Sequence, residues 1–210
     1  MYGMKNKGAI APSYVADIVV ADDLNLSSIS QVYKNGKLVC ENGTALFECE
    51  TVDNSKVTNT VHLPKISADF FKTDVKDKFD AIELIPESII TKKVTVSYSD
   101  SLSKVCVIER HHNLGTKGIG FVTNYGITNG AIATSIGHDS HNVIVIGDND
   151  SDMALAVNTL GTSGGIAVCS EGKVIASMTL DIAGLMSVKS ADEVTREHDN
   201  LYSAAKVLNI

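Results

Sequence analysis

The apolar residues of this chain come in short runs closed by glycine or asparagine. "NVIVIG" and "GGIAVC" are the longest, and "GIGFVTNYGI" and "GAIATSIG" follow the same form. Runs of this length suit strands, and their glycine and asparagine borders suit tight turns. A membrane helix needs roughly 20 consecutive apolar residues, and no stretch approaches that. A hairpin-rich sheet is therefore the expected framework. With 210 residues and 44% hydrophobic side chains, the chain can bury a core as one large domain or two small ones.

The formal balance of 18 basic and 25 acidic residues gives a net charge of −7. The acids are scattered and no basic cluster with interleaved aromatics exists, so nucleic acid is not an expected partner. The opening "MYGMKNKGAIAPSY" has no apolar core of a secretion signal. Cys40, Cys49, Cys106 and Cys169 lack C-x-x-C spacing and three sit among apolar residues. They are expected as free, buried thiols in a reducing cytoplasm, not as a zinc site.

Along the chain, "ADIVVADD" predicts a strand, and "QVYKNGKLVCENG" predicts a hairpin turning at Asn35-Gly36. Periodicity fades over about 48 to 60, where a linker is placed. A second unit begins near "VHLPKI", with strands in "IITKKVTVSYSD", "KVCVIERHH" and the glycine-bordered runs. "DNDSDMALAVNTLGTSGG" predicts a helix capped by Asp150 or Ser151, with Met153, Val157 and Leu160 on one face and glycine stops after it. "GIAVCSEGKVIASM" predicts a hairpin at Glu171-Gly172. A last helix opens on the capping box Ser190/Glu193 and carries a stripe of Val194, His198, Leu201, Ala205 and Leu208. His198 is read there as a packing residue, and the stripe still running at Ile210 suggests truncation.

Four of the six histidines fall in two places, "ERHHN" and "HDSHN", each following an apolar strand. Loops at strand ends display functional groups. Glu109, His111, His112, His138, Asp139, His141 and Asn142 are thus candidates for a polar pocket that binds a metal, relays protons or holds a polar heterocycle. The competing reading is a turn, because Asp, Ser and Asn bond nearby backbone; spacing alone leaves both open. Known signatures fail. H-E-x-x-H is absent, and so is the H-x-E…P-C-x-x-C pattern of zinc deaminases. "DNDSD" has Met153 and Thr159 where a calcium loop needs glycine and glutamate. No phosphate loop or G-x-S-x-G exists. Cys106 lies in an apolar strand and makes a poor nucleophile.

Two stretches carry a resemblance. "MKNKGAIAPSYVADIVVADD" resembles the segment that follows the barrel in metal-dependent amidohydrolases, with Gly8, Ile10, Pro12, Ala16, Asp17 and Ile18 matching and Ser13 in place of the usual glycine. "KNGKLV" resembles the hairpin after it. "RHHNLGTKGIGFV…YGITNGAIATSIGHDSHNVIVIGDNDSDMALAVN", then "GGIAV…GKVIASMTLDIAGLMS", resembles the C-terminal domain of bacterial-type adenine deaminase, departing at Gly137, where alanine is usual.

The resemblance implies metal-dependent hydrolysis of adenine to hypoxanthine and ammonia, with manganese or iron held by histidines and carboxylates of a TIM-like barrel. A barrel takes about 250 residues, and the first strand here starts at residue 16. The chain is therefore expected to be a cytoplasmic fragment without the metal ligands, inactive alone. A separate barrel polypeptide or self-association would complete it. The alternatives are a non-catalytic purine- or metal-binding module, or an interaction or remnant protein. The expected fold class is α+β: a short β-sandwich remnant over 1–58, then over 59–210 a hairpin-rich, mostly antiparallel sheet with at least two helices packed on one side. The catalytic TIM-like barrel is expected to be absent. The HDSHN loop, with Glu109, His111 and His112, is the candidate substrate-facing surface.

Overall fold

In a computed structural model, residues 3–50, 52–74, 77–98 and 102–210 are described. Met1 and Tyr2 of the opening segment, Thr51 of the linker stretch, and Ser99 and Asp100 of "IITKKVTVSYSD" lie outside them. The chain divides into two compact units, Met1–Asp53 and Asn54–Ile210.

The first unit is an antiparallel four-stranded meander of β1 (Ile18–Ala21), β2 (Ile29–Lys34), β3 (Lys37–Glu41) and β4 (Thr44–Ala45). Asn35 and Gly36 have φ of 49° and 75°, so β2 and β3 join through two left-handed residues, whose twist matches that of the strands. Asn42 and Gly43 repeat the device between β3 and β4 with φ of 49° and 78°. The Asp17 carboxylate accepts from Lys34 Nζ at 2.6 Å, Lys7 Nζ at 2.9 Å and the Asn35 N–H at 3.0 Å. No described residue of this unit is fully buried.

The second unit is an α+β fold whose described residues form no closed barrel. Its strands are β5 (Phe79–Leu84), β6 (Thr91–Val96), β7 (Ser103–Ile108), β8 (Lys117–Thr123), β9 (Gly130–Thr134), β10 (Val143–Gly147), β11 (Gly165–Ser170) and β12 (Lys173–Thr179). They form one sheet in the order β12-β11-β9-β10-β7-β8-β5-β6. Every pairing is antiparallel except β5 with β8, where Ile82 faces Val122 and Glu83 faces Thr123. β5 has no counterpart among the strands predicted from the sequence; it is a single short alternation preceded by polar residues.

Helix α1 (Asp150–Thr159) packs Met153, Ala156 and Val157 onto Ala131, Ala133, Val143, Val145, Ala167 and Cys169. Helix α2 (Ala191–Val207), with Leu208 just beyond it, packs Leu201 and Ala204 onto Ile132, Ile166, Val168 and Met178. Neighbours along a strand point to opposite faces. Ala131 and Ile132 therefore face opposite ways, as do Ala167 and Val168, and the two helices cover opposite faces of the sheet. This corrects the expectation of both helices on one side. β11 reads "GIAVCS", continuously apolar rather than alternating, and such a strand needs cover on both faces.

Two further expectations are corrected. The α1 cap is Asn149, in extended conformation (φ −141°, ψ 145°), its Oδ1 accepting from the Asp152 N–H at 2.8 Å, rather than Asp150 or Ser151. The acids around it have other partners. Asp148 accepts from the Gly130 N–H at 2.9 Å, Asp150 pairs with Lys104, and buried Asp152 accepts the N–H groups of Glu171 (3.1 Å) and Gly172 (2.8 Å) in the β11–β12 turn. In α2 the capping box of Ser190 and Glu193 is present, but His198 is exposed. The packed stripe runs Val194, Leu201, Ala204, Leu208. Steps of three from Val194 and Leu201 stay on the inner face, whereas steps of four reach His198 and Ala205 at its outer edge. Glu197 takes the inner position and bonds Lys189 Nζ at 2.6 Å. No helix among the described residues is long and apolar enough to cross a membrane.

Candidate functional site

The antiparallel ladder sets the two polar loops side by side. Ile108, the last residue of β7, faces Val143, the first of β10, and Ile144 faces Thr134, the last of β9. The β7–β8 loop (109–116) and the β9–β10 loop (135–142) therefore leave the same end of the sheet.

Glu109 organises the first loop. Its carboxylate accepts the N–H groups of His111, His112 (2.8 Å) and Leu114 (3.1 Å). Burial pushes the Glu109 carboxyl up, but these donors and the nearby His112 outweigh it and hold it below the usual range. Both oxygens face backbone, an arrangement that fits a loop-shaping carboxylate better than a proton relay.

The second loop is a tight turn. The His141 N–H bonds the Gly137 carbonyl at 2.7 Å and the Ser140 N–H bonds that of His138 at 3.0 Å, with Asp139 and His141 in left-handed conformation (φ 65° and 50°). A Cβ on Gly137 would stand 2.7 Å from the Asn142 carbonyl, so this chain's turn needs glycine there. His138 Nδ1 lies 3.1 Å from Asp139 Oδ1, and these two side chains are 95% and 92% exposed at the tip. Asn142 Oδ1 is buried and has no hydrogen-bond partner among the described residues. The loops meet where His111 Nε2 donates to the Ser140 carbonyl at 3.1 Å. His112 is exposed, its ring 6.4 Å from that of His111.

The structure thus brings Glu109, His111 and the 138–142 turn to one surface, as an open face and not as a cage. Among the described residues no three His, Cys, Asp or Glu side chains converge to hold a metal ion. The catalytic metal of an amidohydrolase does not fit this set. Cys106 is buried at the sheet face, and that burial pushes its thiol up to about 11, which removes it as a nucleophile at neutral pH.

Two residues beneath the loops escaped the sequence reading. Arg110 is 2% exposed and Ser135 is fully buried. A period-two signal marks both. Cys106, Ile108 and Arg110 continue the buried face of β7, and Ala131, Ala133 and Ser135 continue that of β9. The Arg110 Nε donates to the His141 carbonyl and its Nη2 to that of Ala183 at 3.0 Å. Ser135 Oγ donates to the Gly184 carbonyl at 2.6 Å and accepts from the Gly165 N–H at 2.7 Å.

Comparison with known proteins decides the family. The family model described as the adenine deaminase C-terminal domain matches residues 83–210. The chain belongs to the adenine deaminase C-terminal domain family. Named relatives extend the likeness over nearly the whole chain. An adenine deaminase of Clostridium acetobutylicum is 40% identical over 100% of this chain. "Adenine deaminase 2" of Carboxydothermus hydrogenoformans is 39% identical over 97% of it, and an adenine deaminase of Lysinibacillus sphaericus 34% over 99%. The chain spans 38% of the length of each of these relatives. Within the family match lie β6 to β12, both helices, both polar loops and Arg110.

Proposed function

We propose that this chain is the accessory portion of an adenine deaminase. In this reading, hydrolysis of adenine to hypoxanthine and ammonia requires a barrel that supplies manganese or iron together with its ligands. The observation that carries the reading is the alignment of 97% to 100% of this chain with only 38% of relatives named adenine deaminase. The metal, when bound by the barrel, supplies an activated hydroxide.

This chain's part is to present the two-loop face to the purine. Imidazole N–H groups of His138 and His141 can donate to ring nitrogens, and the Asp139 carboxylate can accept from the exocyclic amine. Asn142, Glu109, His111 and His112 shape and flank that face. The barrel reaches the chain either in the same polypeptide or as a separate one. The first unit, with no buried residue among those described, supports a need for a covering surface. A cytoplasmic enzyme of purine breakdown is the setting that this reading implies.

Ammonia release from adenine with added Mn²⁺ tests the proposal. The chain alone is expected to release none, and the chain joined with a barrel polypeptide is expected to turn over. Replacing His138 and His141 together by alanine in that assembly is expected to lower kcat/KM at least about tenfold, which is ~1.4 kcal/mol of transition-state stabilisation. Turnover by the chain alone, or an unchanged kcat/KM in the double variant, overturns it.

A further inference from the structure

Arg110 poses a question that packing does not answer. It is an arginine buried at 2% exposure, burial pulls its pKa down, and among the described residues no carboxylate pairs with it. Burying a charge without a counter-charge is costly, and apolar side chains of similar volume often serve stability as well or better. The guanidinium does have a geometric use. It presents N–H donors in a fixed planar fork. Here Nε engages the His141 carbonyl of one loop and Nη2 the Ala183 carbonyl of another segment, 42 positions further on.

That second segment is itself shaped for the contact. Ala183 and Gly184 both take left-handed conformations, with φ of 55° and 68°. A Cβ on Gly184 would come within 2.6 Å of Arg110 Nη1, so only glycine lets the guanidinium lie this close. The Ala183–Gly184 turn is anchored independently, because Ser135 Oγ donates to the Gly184 carbonyl at 2.6 Å and accepts from Gly165 N–H at the start of β11. A continuous chain of polar contacts therefore runs from β11 through Ser135 and the 183–184 turn to Arg110. It ends on the backbone of His141, the residue whose left-handed φ of 50° sets the shape of the HDSHN turn.

We propose that Arg110 is a positioning residue: its fork ties the His141 backbone to the Ala183–Gly184 turn and so holds the His138–Asn142 loop in one orientation. The clamp is a statement about this chain. Its value for catalysis rests on the reading that the loop faces the purine.

The test uses this chain with Arg110→Met and Arg110→Lys, read by amide hydrogen exchange residue by residue. In Arg110→Met the His141 N–H and the amides of 183–185 are expected to exchange at least tenfold faster, while β9, β10 and α1 keep their protection. Lysine retains the charge but not the fork, so Arg110→Lys is expected to fold and to show the same local loss, smaller in size. Should Arg110→Met fail to fold, the lysine variant decides. Unchanged exchange at His141 in Arg110→Lys, or a loss spread evenly over the sheet, overturns the clamp. In an assembly that turns over adenine, Arg110→Lys is further expected to raise KM with metal content unchanged. If the clamp holds but alanine at His138 and His141 leaves turnover intact, the purine-facing reading fails and the clamp stands.

Discussion

The two units of this chain are built on wholly or mostly antiparallel sheets, yet they are held in different ways. Asn54–Ile210 encloses an apolar cluster on each face of its sheet, with Met153, Val145, Cys106 and Cys169 fully shielded on one side and Leu208 on the other. Met1–Asp53 has mostly shorter strands and two Asn-Gly turns, but no fully buried residue among those described. Val19, Leu24, Leu46 and Phe47 remain half exposed or more. Turns and cross-strand pairs specify a register, but burial of apolar surface supplies most of the driving force for a stable fold. Correct local geometry in the first unit is therefore compatible with weak intrinsic stability. The second unit carries its own core, whereas the first has none among its described residues.

Core truncations separate the two most strongly. Met153→Ala removes a fully buried side chain from the α1 interface and is expected to cost about 2–5 kcal/mol. Val32→Ala, at a half-buried site in β2, is expected to cost less than ~1 kcal/mol. Urea denaturation of each variant measures the pair, and equal losses would erase the contrast.

A buried polar tie gives the next largest effect. Asp152→Ala leaves the N–H groups of Glu171 and Gly172 without their acceptor and is expected to cost about 1–3 kcal/mol. Thermal melting of the variant, with exchange of those two amides, checks whether the loss starts at the β11–β12 turn.

The smallest effect is electrostatic and falls on the first unit. Lys34 above all, then the Asn35 N–H and Lys7, hold the Asp17 carboxyl well below the usual carboxylate range. A depressed native pKa contributes stability that is present above the unfolded value of about 3.9 and is lost as pH falls through the native value. Acidification below about pH 4 is therefore expected to lower the protection of the Asn35 amide, relative to its intrinsic exchange rate at each pH, before it affects β9 or β10, and Asp17→Asn is expected to remove that pH dependence. An Asn35 amide insensitive to acid in the parent chain would contradict it.

What was legible in the sequence follows the range of the interactions. The Asn35-Gly36 and Glu171-Gly172 turns and the Ser190/Glu193 box depend on residues within a few positions, and the structure contains all three. The placement of α1 and α2 on opposite faces depends on which strands neighbour β11, which no local window contains. The α1 cap lies one or two residues before the expected Asp150 or Ser151 because four acidic or amide side chains compete there, and their long-range partners Gly130, Lys104 and Gly172 decide the outcome. The seven site residues were legible as two loops, and the ladder shows why the loops adjoin. Arg110 was hidden by its charge, although the alternation through Cys106 and Ile108 points inward at its position.

The cysteines report on the central contrast directly, since each unit carries two. Cys49 is exposed and Cys40 half-buried in the first unit, whereas Cys106 and Cys169 are buried in the second, and that burial pushes each thiol up to about 11. Thiol labelling of the intact chain along a urea series, with each cysteine followed by mass spectrometry, is the decisive measurement. Cys49 and then Cys40 are expected to label without urea, while Cys106 and Cys169 stay unlabelled until one cooperative transition opens both. Protection of Cys40 up to that same transition, or labelling of Cys106 and Cys169 in native buffer, would contradict the division into one unit with its own apolar core and one without.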